Sequence, residues 1–94
     1  MKFFYVYILY NFKRKFTYTG YTKNLKERLK RHNKGRVKST KRYIPLKLIF
    51  YEAYLSSKDA KRREKYLKST KGKVALRLML KDFLNAVSGK WYTK

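Results

Sequence analysis

The sequence predicts an α+β domain: a small, largely antiparallel three-stranded sheet flanked by three helices, in the order ββαβαα. Every position from Phe3 to Tyr10 is apolar or aromatic, which is typical of a strand covered on both faces. A second run, Phe16 to about Tyr21, is rich in Thr and Tyr, and the short polar connection between the two runs predicts an antiparallel hairpin. Beyond the hairpin, apolar residues recur at helical spacing.

The middle of the chain predicts a helix, a basic loop and a third strand. Thr22 is the expected N-cap of a helix over residues 23–33, which Gly35 stops. Residues 36–44 form the basic loop, and residues 46–54 read as the third strand.

The C-terminal third predicts two more helices. Ser56 to Asp59 resembles a capping box that starts the second helix, which ends near Lys71-Gly72. A third helix over residues 74–87 is expected to close at Ser88-Gly89, before a tail that contains Trp91. Its apolar side comprises Leu76, Leu80, Phe83, Leu84 and Val87. We therefore predict one domain over residues 1–94, with its core over about 3–88 and a tail over 89–94.

The charge balance predicts a polyanionic partner. The chain has 27 Lys and Arg against five acids, a formal charge of +22. A fold does not need this excess, and nucleic acid is the commonest polyanion that explains it. A solvated basic surface, or a ribosome-associated protein without chemistry, remains the alternative. The absence of Cys excludes disulfides, thiolate zinc sites and Cys nucleophiles, and one His cannot build a multi-His metal site.

The first apolar run is the longest and is far short of the roughly 20 residues that span a bilayer. It has no small-residue cleavage site after it, so we do not interpret it as a signal peptide. We therefore expect a cytoplasmic protein with no membrane partner.

Polar residues occupy the inward face of the first predicted helix. At about 100° per residue, Leu25, Leu29 and His32 fall within a sector of roughly 60°, and Arg28 lies about 40° beyond His32. In the second helix, Glu64 lies on the inward stripe, between Ala60 and Leu67. Burying such groups is costly unless a partner compensates, so they are candidates for a site.

Each of these residues also has an ordinary interpretation. His32 can be a hydrogen-bonded core residue, Arg28 can extend along the stripe to water, and Glu64 can pair with Lys61 or Lys68 on its own helix. Together, however, the three suit phosphate chemistry. Arg binds phosphate in a bidentate fork, His moves protons near neutral pH, and a lone Glu can hold Mg²⁺.

Spacing along the chain makes the interpretation specific. The triplets Tyr5-Val6-Tyr7 and Tyr18-Thr19-Gly20 resemble the two signature triplets of the GIY-YIG nuclease family. Arg28 falls eight residues after Gly20, as the family's Arg does, and His32 follows four later. The segment around Glu64 is similar to the helix that carries the family's metal-binding Glu.

The resemblance runs from about residue 5 to residue 80 and is strongest to the short, free-standing members, which are similar to the N-terminal incision domain of the excision-repair nuclease. It implies an endonuclease that hydrolyses DNA phosphodiester bonds with Mg²⁺ or Mn²⁺. Low sequence specificity, or a preference for branched or damaged structures, is expected because no reader module is appended. DNA is favoured over RNA by family analogy. We also expect a monomer.

The resemblance implies roles for three residues of the hairpin. Tyr7 would help to activate the attacking water or accept a proton, and Tyr18 would hydrogen-bond the water or the phosphate. Gly20 would let the backbone approach the substrate. Because the usual pKa of Tyr is near 10, a base role would need a lowered pKa, which nearby cations favour.

Three further roles fall on the helices. Arg28 would neutralise the scissile phosphate, and His32 would shuttle a proton to or from a tyrosine. Glu64 would bind one Mg²⁺ or Mn²⁺, which polarises the phosphate. From the basic loop, we expect Lys38, Lys41 and Arg42 to contact the DNA backbone.

The chain departs from the family pattern at three positions. Tyr5 replaces the Gly of the first triplet, Tyr21 stands where some members have Lys, and Leu76 stands where many have a downstream Asn. The alternative function is a non-catalytic basic nucleic-acid-binding protein built on a GIY-YIG fold.

Overall fold

The structure, a computed structural model, describes residues 1–87 and contains a three-stranded sheet with four helices. The strands are β1 (Phe4–Asn11), β2 (Phe16–Thr22) and β3 (Lys47–Tyr54). The helices are α1 (Leu25–Asn33), α2 (Ser57–Lys68), α3 (Thr70–Met79) and α4 (Lys81–Val87), and a short 3-10 turn spans Lys41–Tyr43. The predicted α+β class is therefore confirmed, with one helix more than expected.

Strand β1 is the centre of the sheet. The strand order is β2-β1-β3, and both pairs are antiparallel. Tyr7 pairs with Gly20 on one side and with Tyr51 on the other. This central position explains why β1 is apolar along its length, since both its edges and both its faces are covered.

Alternation along β1 sends its side chains to two different faces. Val6 and Ile8 lie in a cluster with Ala60 and Leu67 of α2, which defines the α2 face. On the opposite side, which we call the α1 face, Tyr7 and Leu9 pack with residues of α1, β2, β3 and the loop before β3. These are Leu25, Leu29, Phe16, Tyr18, Tyr43, Leu46 and Leu48.

The start of α1 differs from the prediction by two residues. Thr22 is still in β2, and its hydroxyl accepts a hydrogen bond from the Asn24 backbone N–H at 3.1 Å. Asn24 is the N-cap, because its side chain accepts from the Glu27 N–H at 3.1 Å. At α2 the prediction is confirmed, since the Ser56 side chain accepts from Asp59 N–H.

The predicted end of α2 near Lys71-Gly72 and the single third helix were wrong. Ser69 has an extended backbone that stops α2, and its side chain caps α3 by accepting from the Gly72 N–H at 3.1 Å. Gly72 lies within α3, where a Cβ would overlap the backbone carbonyl of Tyr66. The glycine therefore permits close packing of α3 on the end of α2.

A second break, at Leu80, separates α3 from α4. Of the predicted apolar side, Leu76 is buried in the core of the α2 face and Leu80 packs against it. The predicted stop at Ser88-Gly89 and the tail with Trp91 lie outside the described residues. Within residues 1–87, none of the helices has the length and apolarity needed to cross a bilayer.

Candidate active site

Tyr7 is the centre of the polar cluster on the α1 face. Its side chain is 1% exposed, and its hydroxyl lies 2.8 Å from His32 Nε2. Arg28 Nε donates to the same hydroxyl at 3.3 Å. The structure therefore brings Tyr7 of β1 together with Arg28 and His32 of α1. Helical periodicity indicated the inward direction of the two helix residues.

Gly20 makes space for the Tyr7 ring. The two residues are register partners, and a Cβ at Gly20 would overlap the ring and hydroxyl of Tyr7. The prediction was that Gly20 lets the backbone approach the substrate, whereas this contact shows that a side chain at position 20 would also collide with Tyr7. A role of Gly20 in substrate contact stays a prediction.

His32 is fully buried between two aromatic rings and a hydroxyl. Its ring makes edge contacts with Tyr7 and Tyr18, with centroids 5.7 and 5.1 Å away. Nδ1 lies 2.7 Å from Thr40 Oγ1. Burial, with a smaller contribution from the charge of Arg28, lowers the pKa of His32 from 6.5 to about 4. The imidazole is therefore neutral at neutral pH and can accept a proton.

The pKa of Tyr7 is raised to about 12, chiefly because burial disfavours the phenolate. The hydrogen bond from Arg28 acts in the opposite direction but does not overcome desolvation. The lowered pKa that a base role of Tyr7 would need is therefore not present in the free protein. Nearby cations do favour the phenolate, but the cost of removing it from water is larger.

Arg28 supplies a fixed positive charge at the cluster. Its pKa is raised, first by the hydrogen bond to Tyr7, so the guanidinium remains charged at any accessible pH. The side chain is half-buried, which leaves part of it open to solvent. This arrangement can neutralise a bound anion without first creating a charge in the site.

Glu64 approaches the cluster from α2. Its carboxylate raises the pKa of Tyr7, a minor contribution that nevertheless places its charge near the hydroxyl. It forms an ion pair with Lys68 at 2.9 Å, and the Lys68 ammonium lies 6.0 Å from the centroid of the Tyr18 ring. The ordinary interpretation of Glu64, pairing with Lys68, is thus also observed. Such a pair on a surface is worth only about 0–1 kcal/mol, so a divalent ion can compete for the carboxylate.

Among residues 1–87, no group of three or more His, Cys, Asp or Glu could enclose a metal ion. Glu64 is 23% exposed and offers a single hard oxygen donor group. This donor fits Mg²⁺ or Mn²⁺, which keeps several waters and takes further ligands from substrate phosphate. Leu76, at the position of the family's downstream Asn, is buried in the apolar core and adds no ligand.

The family comparison agrees with this geometry. The family model described as the GIY-YIG catalytic domain matches residues 3–77, which include Tyr7, Tyr18, Arg28, His32 and Glu64. The chain belongs to the GIY-YIG family. The resemblance inferred from the two triplets is therefore confirmed, and a GIY-YIG domain implies nuclease activity in general.

Several GIY-YIG relatives carry the name UPF0213 protein, which states no activity. One from Clostridium perfringens is 43% identical over 65 residues, covering 68% of this chain and 69% of the relative. One from Streptococcus agalactiae is 44% identical over 52 residues, 54% of this chain and 59% of its own length. One from Pediococcus acidilactici is 38% identical over 65 residues, 66% of each chain. No solved structure matches the chain.

In this GIY-YIG domain the basic loop, residues 36–44, is anchored next to the cluster. Asn11 is buried, and its amide donates to the carbonyls of Tyr43 at 2.6 Å and Pro45 at 3.2 Å. The Tyr43 ring stacks on Phe16 with centroids 3.7 Å apart. The loop is therefore held by β1 and β2, the strands that also carry Tyr7 and Tyr18.

The predicted phosphate-binding residues of the loop, Lys38, Lys41 and Arg42, are all exposed. The Arg42 carbonyl accepts from Arg14 Nη1 at 3.2 Å, which ties this part of the loop to the β1–β2 turn. Their contact with nucleic acid stays a prediction, but their exposure allows it.

Two residues of the GIY-YIG site region were missed from the sequence. Thr40 is fully buried against His32, although it lies in a stretch that reads as solvated and basic. Asn33 holds both backbone polar groups of Leu46: it accepts from the N–H at 2.7 Å and donates to the carbonyl at 3.0 Å. Neither residue gives a local signal, because each partner is 8 or 13 positions away across a loop.

Proposed function

We propose that this chain is a divalent-metal-dependent endonuclease that hydrolyses DNA phosphodiester bonds. The observation that carries the proposal is the hydrogen-bonded set of Arg28, Tyr7 and His32, whose central hydroxyl also interacts electrostatically with the carboxylate of Glu64. Membership of the GIY-YIG family supports nuclease activity in general. Cleavage of low sequence specificity, or directed to branched or damaged DNA, is the expected mode.

Arg28 and the loop would bind and orient the substrate. The guanidinium would neutralise the scissile phosphate as charge accumulates in the transition state. Lys38, Lys41 and Arg42 would contact flanking phosphates, so binding would weaken steeply as salt is raised. Tyr18 would hydrogen-bond the phosphate or the attacking water next to Tyr7.

Tyr7 and His32 would move the proton of the attacking water. As the Tyr7 oxygen takes that proton, its own proton would pass to the neutral Nε2 of His32, 2.8 Å away. In the free protein, transfer of the Tyr7 proton to His32 is strongly unfavourable, because burial raises the pKa of Tyr7 to about 12 and lowers the pKa of His32 to about 4. Transfer would therefore occur only with substrate bound, when the phosphate's negative charge favours the imidazolium.

Glu64 would hold the divalent ion, together with water and the phosphate. When bound, the ion polarises the phosphate and stabilises the leaving oxygen. Displacement of Lys68 from Glu64 would free that ammonium for a phosphate of the substrate.

Nicking of supercoiled plasmid tests the proposal. Wild type, Glu64→Gln and Glu27→Gln would be compared with Mg²⁺ or Mn²⁺ and with EDTA; Glu27 is an exposed carboxylate on α1 and serves as the matched control. We expect wild type and Glu27→Gln to nick DNA only with metal, and Glu64→Gln to be inactive. Persistent nicking by Glu64→Gln would contradict the assignment of the metal ligand.

The alternative, a nucleic-acid-binding protein without turnover, is favoured by the Glu64–Lys68 ion pair and by the apolar Leu76. It predicts that neither wild type nor Glu64→Gln cleaves plasmid, branched DNA or RNA, while both bind with strong salt dependence. Parallel assays with DNA and RNA of the same sequence decide which nucleic acid is preferred.

A further inference from the structure

Thr40 is the one residue of the basic loop turned into the site by a side-chain hydrogen bond to His32. It is 0% exposed, whereas Lys38, Ser39 and Lys41 around it are exposed. Its Oγ1 lies 2.7 Å from His32 Nδ1 and donates to the Val37 carbonyl at 3.5 Å. A buried hydroxyl between a ring nitrogen and a carbonyl constrains where each proton can lie.

The proton count can be followed from one end of the hydrogen-bond chain to the other. Arg28 can only donate and the Val37 carbonyl can only accept. If Nδ1 of His32 carries the ring proton, Arg28 donates to Tyr7, Tyr7 to Nε2, Nδ1 to Thr40, and Thr40 to the Val37 carbonyl. In this arrangement every proton has an acceptor.

The other tautomer fails this count. With the proton on Nε2, the oxygen of Tyr7 would receive two donors, from Arg28 and from His32. Among residues 1–87, His32 and Arg28 are the hydrogen-bond partners of that hydroxyl, so its own proton would have no acceptor within this hydrogen-bond chain. The first tautomer pairs every proton of the chain and is therefore favoured.

We propose that Thr40 is a positioning residue, which holds His32 in the tautomer whose Nε2 is free to accept the proton of Tyr7. The effect on catalysis rests on the proposed nuclease function, but the tautomer itself does not. The low pKa of His32 is consistent with a neutral ring. Thr40 directly precedes Lys41 and Arg42. The loop segment expected to bind DNA therefore also determines which ring nitrogen of His32 can accept a proton.

His32 is the only histidine of the chain, so its imidazole signals in ¹⁵N NMR need no assignment. The proteins compared would be wild type, Thr40→Val, Thr40→Ser and Ser39→Ala. Valine keeps the shape of threonine without the hydroxyl, serine keeps the hydroxyl, and Ser39 is the exposed neighbour. We expect a protonated Nδ1 in wild type, Thr40→Ser and Ser39→Ala, and a mixed or reversed tautomer in Thr40→Val.

Single-turnover cleavage provides the second readout. Thr40→Val should lower the rate about 10-fold or more without weakening DNA binding, and Thr40→Ser should restore most of it. A wild-type spectrum with a protonated Nε2 would overturn the proposal, even if Thr40→Val failed to fold. So would an unchanged tautomer in Thr40→Val. If the tautomer shifts as expected but wild type does not cleave, the nuclease function fails and the role of Thr40 in fixing His32 stands.

Discussion

Strand β1 contributes side chains to both faces of the sheet, but the two faces differ in the polarity of what they bury. On the α2 face, β1 contributes Val6 and Ile8 to a cluster of buried apolar residues with α2 and α3. On the α1 face, it contributes Tyr7, whose hydroxyl is bound by Arg28 and His32. One face therefore stabilises the domain by hydrophobic burial, while the other buries polar groups that must be paired to be tolerated.

Helix α2 takes part in both arrangements. Ala60 and Leu67 are fully buried in the apolar cluster, whereas the carboxylate of Glu64, between them in sequence, pairs with Lys68 and raises the pKa of Tyr7 slightly. Stability and chemistry can therefore be changed separately by substitution, even within a single helix. Substitutions on the α2 face should change unfolding, and those on the α1 face should change cleavage.

The largest effect is expected from Arg28→Ala. Loss of the charge that would neutralise the scissile phosphate should lower the single-turnover cleavage rate by about 10²–10³-fold. Arg31→Ala is the control, because Arg31 is exposed on the same helix. Equal losses in the two variants would show that only overall charge matters, which would contradict a specific role of Arg28 on the α1 face.

Leu67→Ala should have the largest effect on stability. Leu67 is fully buried on the α2 face, so its truncation should lower the free energy of unfolding by about 2–5 kcal/mol in urea denaturation. The protein that remains folded should cleave at nearly the wild-type rate. A large loss of cleavage in fully folded Leu67→Ala would mean that the α2 face also controls the chemistry.

The pH dependence of stability tests the buried state of His32. Its pKa is about 4 in the folded protein against 6.5 when unperturbed, so between these values the unfolded chain binds a proton that the folded protein does not. Stability should therefore fall as the pH drops from about 6.5 toward 4. His32→Gln should flatten this dependence, measured as urea midpoints; an equal slope in the variant would contradict burial of a neutral ring.

The smallest effect is expected at Tyr21, the polar exception on the α2 face. Its buried hydroxyl has no hydrogen-bond partner among residues 1–87, while its ring stacks with Phe4 at 6.5 Å and lies 5.4 Å from the Lys61 ammonium. Tyr21→Phe keeps the ring and removes the unpaired hydroxyl. The free energy of unfolding, measured by thermal denaturation, should therefore be unchanged or raised by about 1 kcal/mol at most. Destabilisation by more than this would reveal an unrecognised partner of the hydroxyl.

Local patterns predicted the parts of the molecule that depend on neighbours in sequence. The apolar run of β1, the cap at Ser56, and the inward direction of Arg28 and His32 all follow from periodicity or capping. The break at Ser69 could not be predicted, because Lys71-Gly72 has the same appearance whether a helix ends there or packs closely there.

The candidate residues of the site could be named from the sequence, but their electrostatics could not. Spacing identified Tyr7, Arg28 and His32, yet the direction of the Tyr7 pKa depends on how completely the fold removes it from water. Thr40 was missed for a related reason: its contact with His32 exists only because Asn11, Tyr43 and Phe16 hold the loop in place.

The most direct test of the account is the single-turnover cleavage rate of Tyr7→Phe at saturating protein. The variant removes one oxygen that both Arg28 and His32 contact. We predict a rate at least about 10²-fold below wild type, with DNA binding retained and unfolding free energy lowered by no more than roughly 1–3 kcal/mol. Metal-dependent cleavage at the wild-type rate would contradict the assignment of the chemistry to the α1 face.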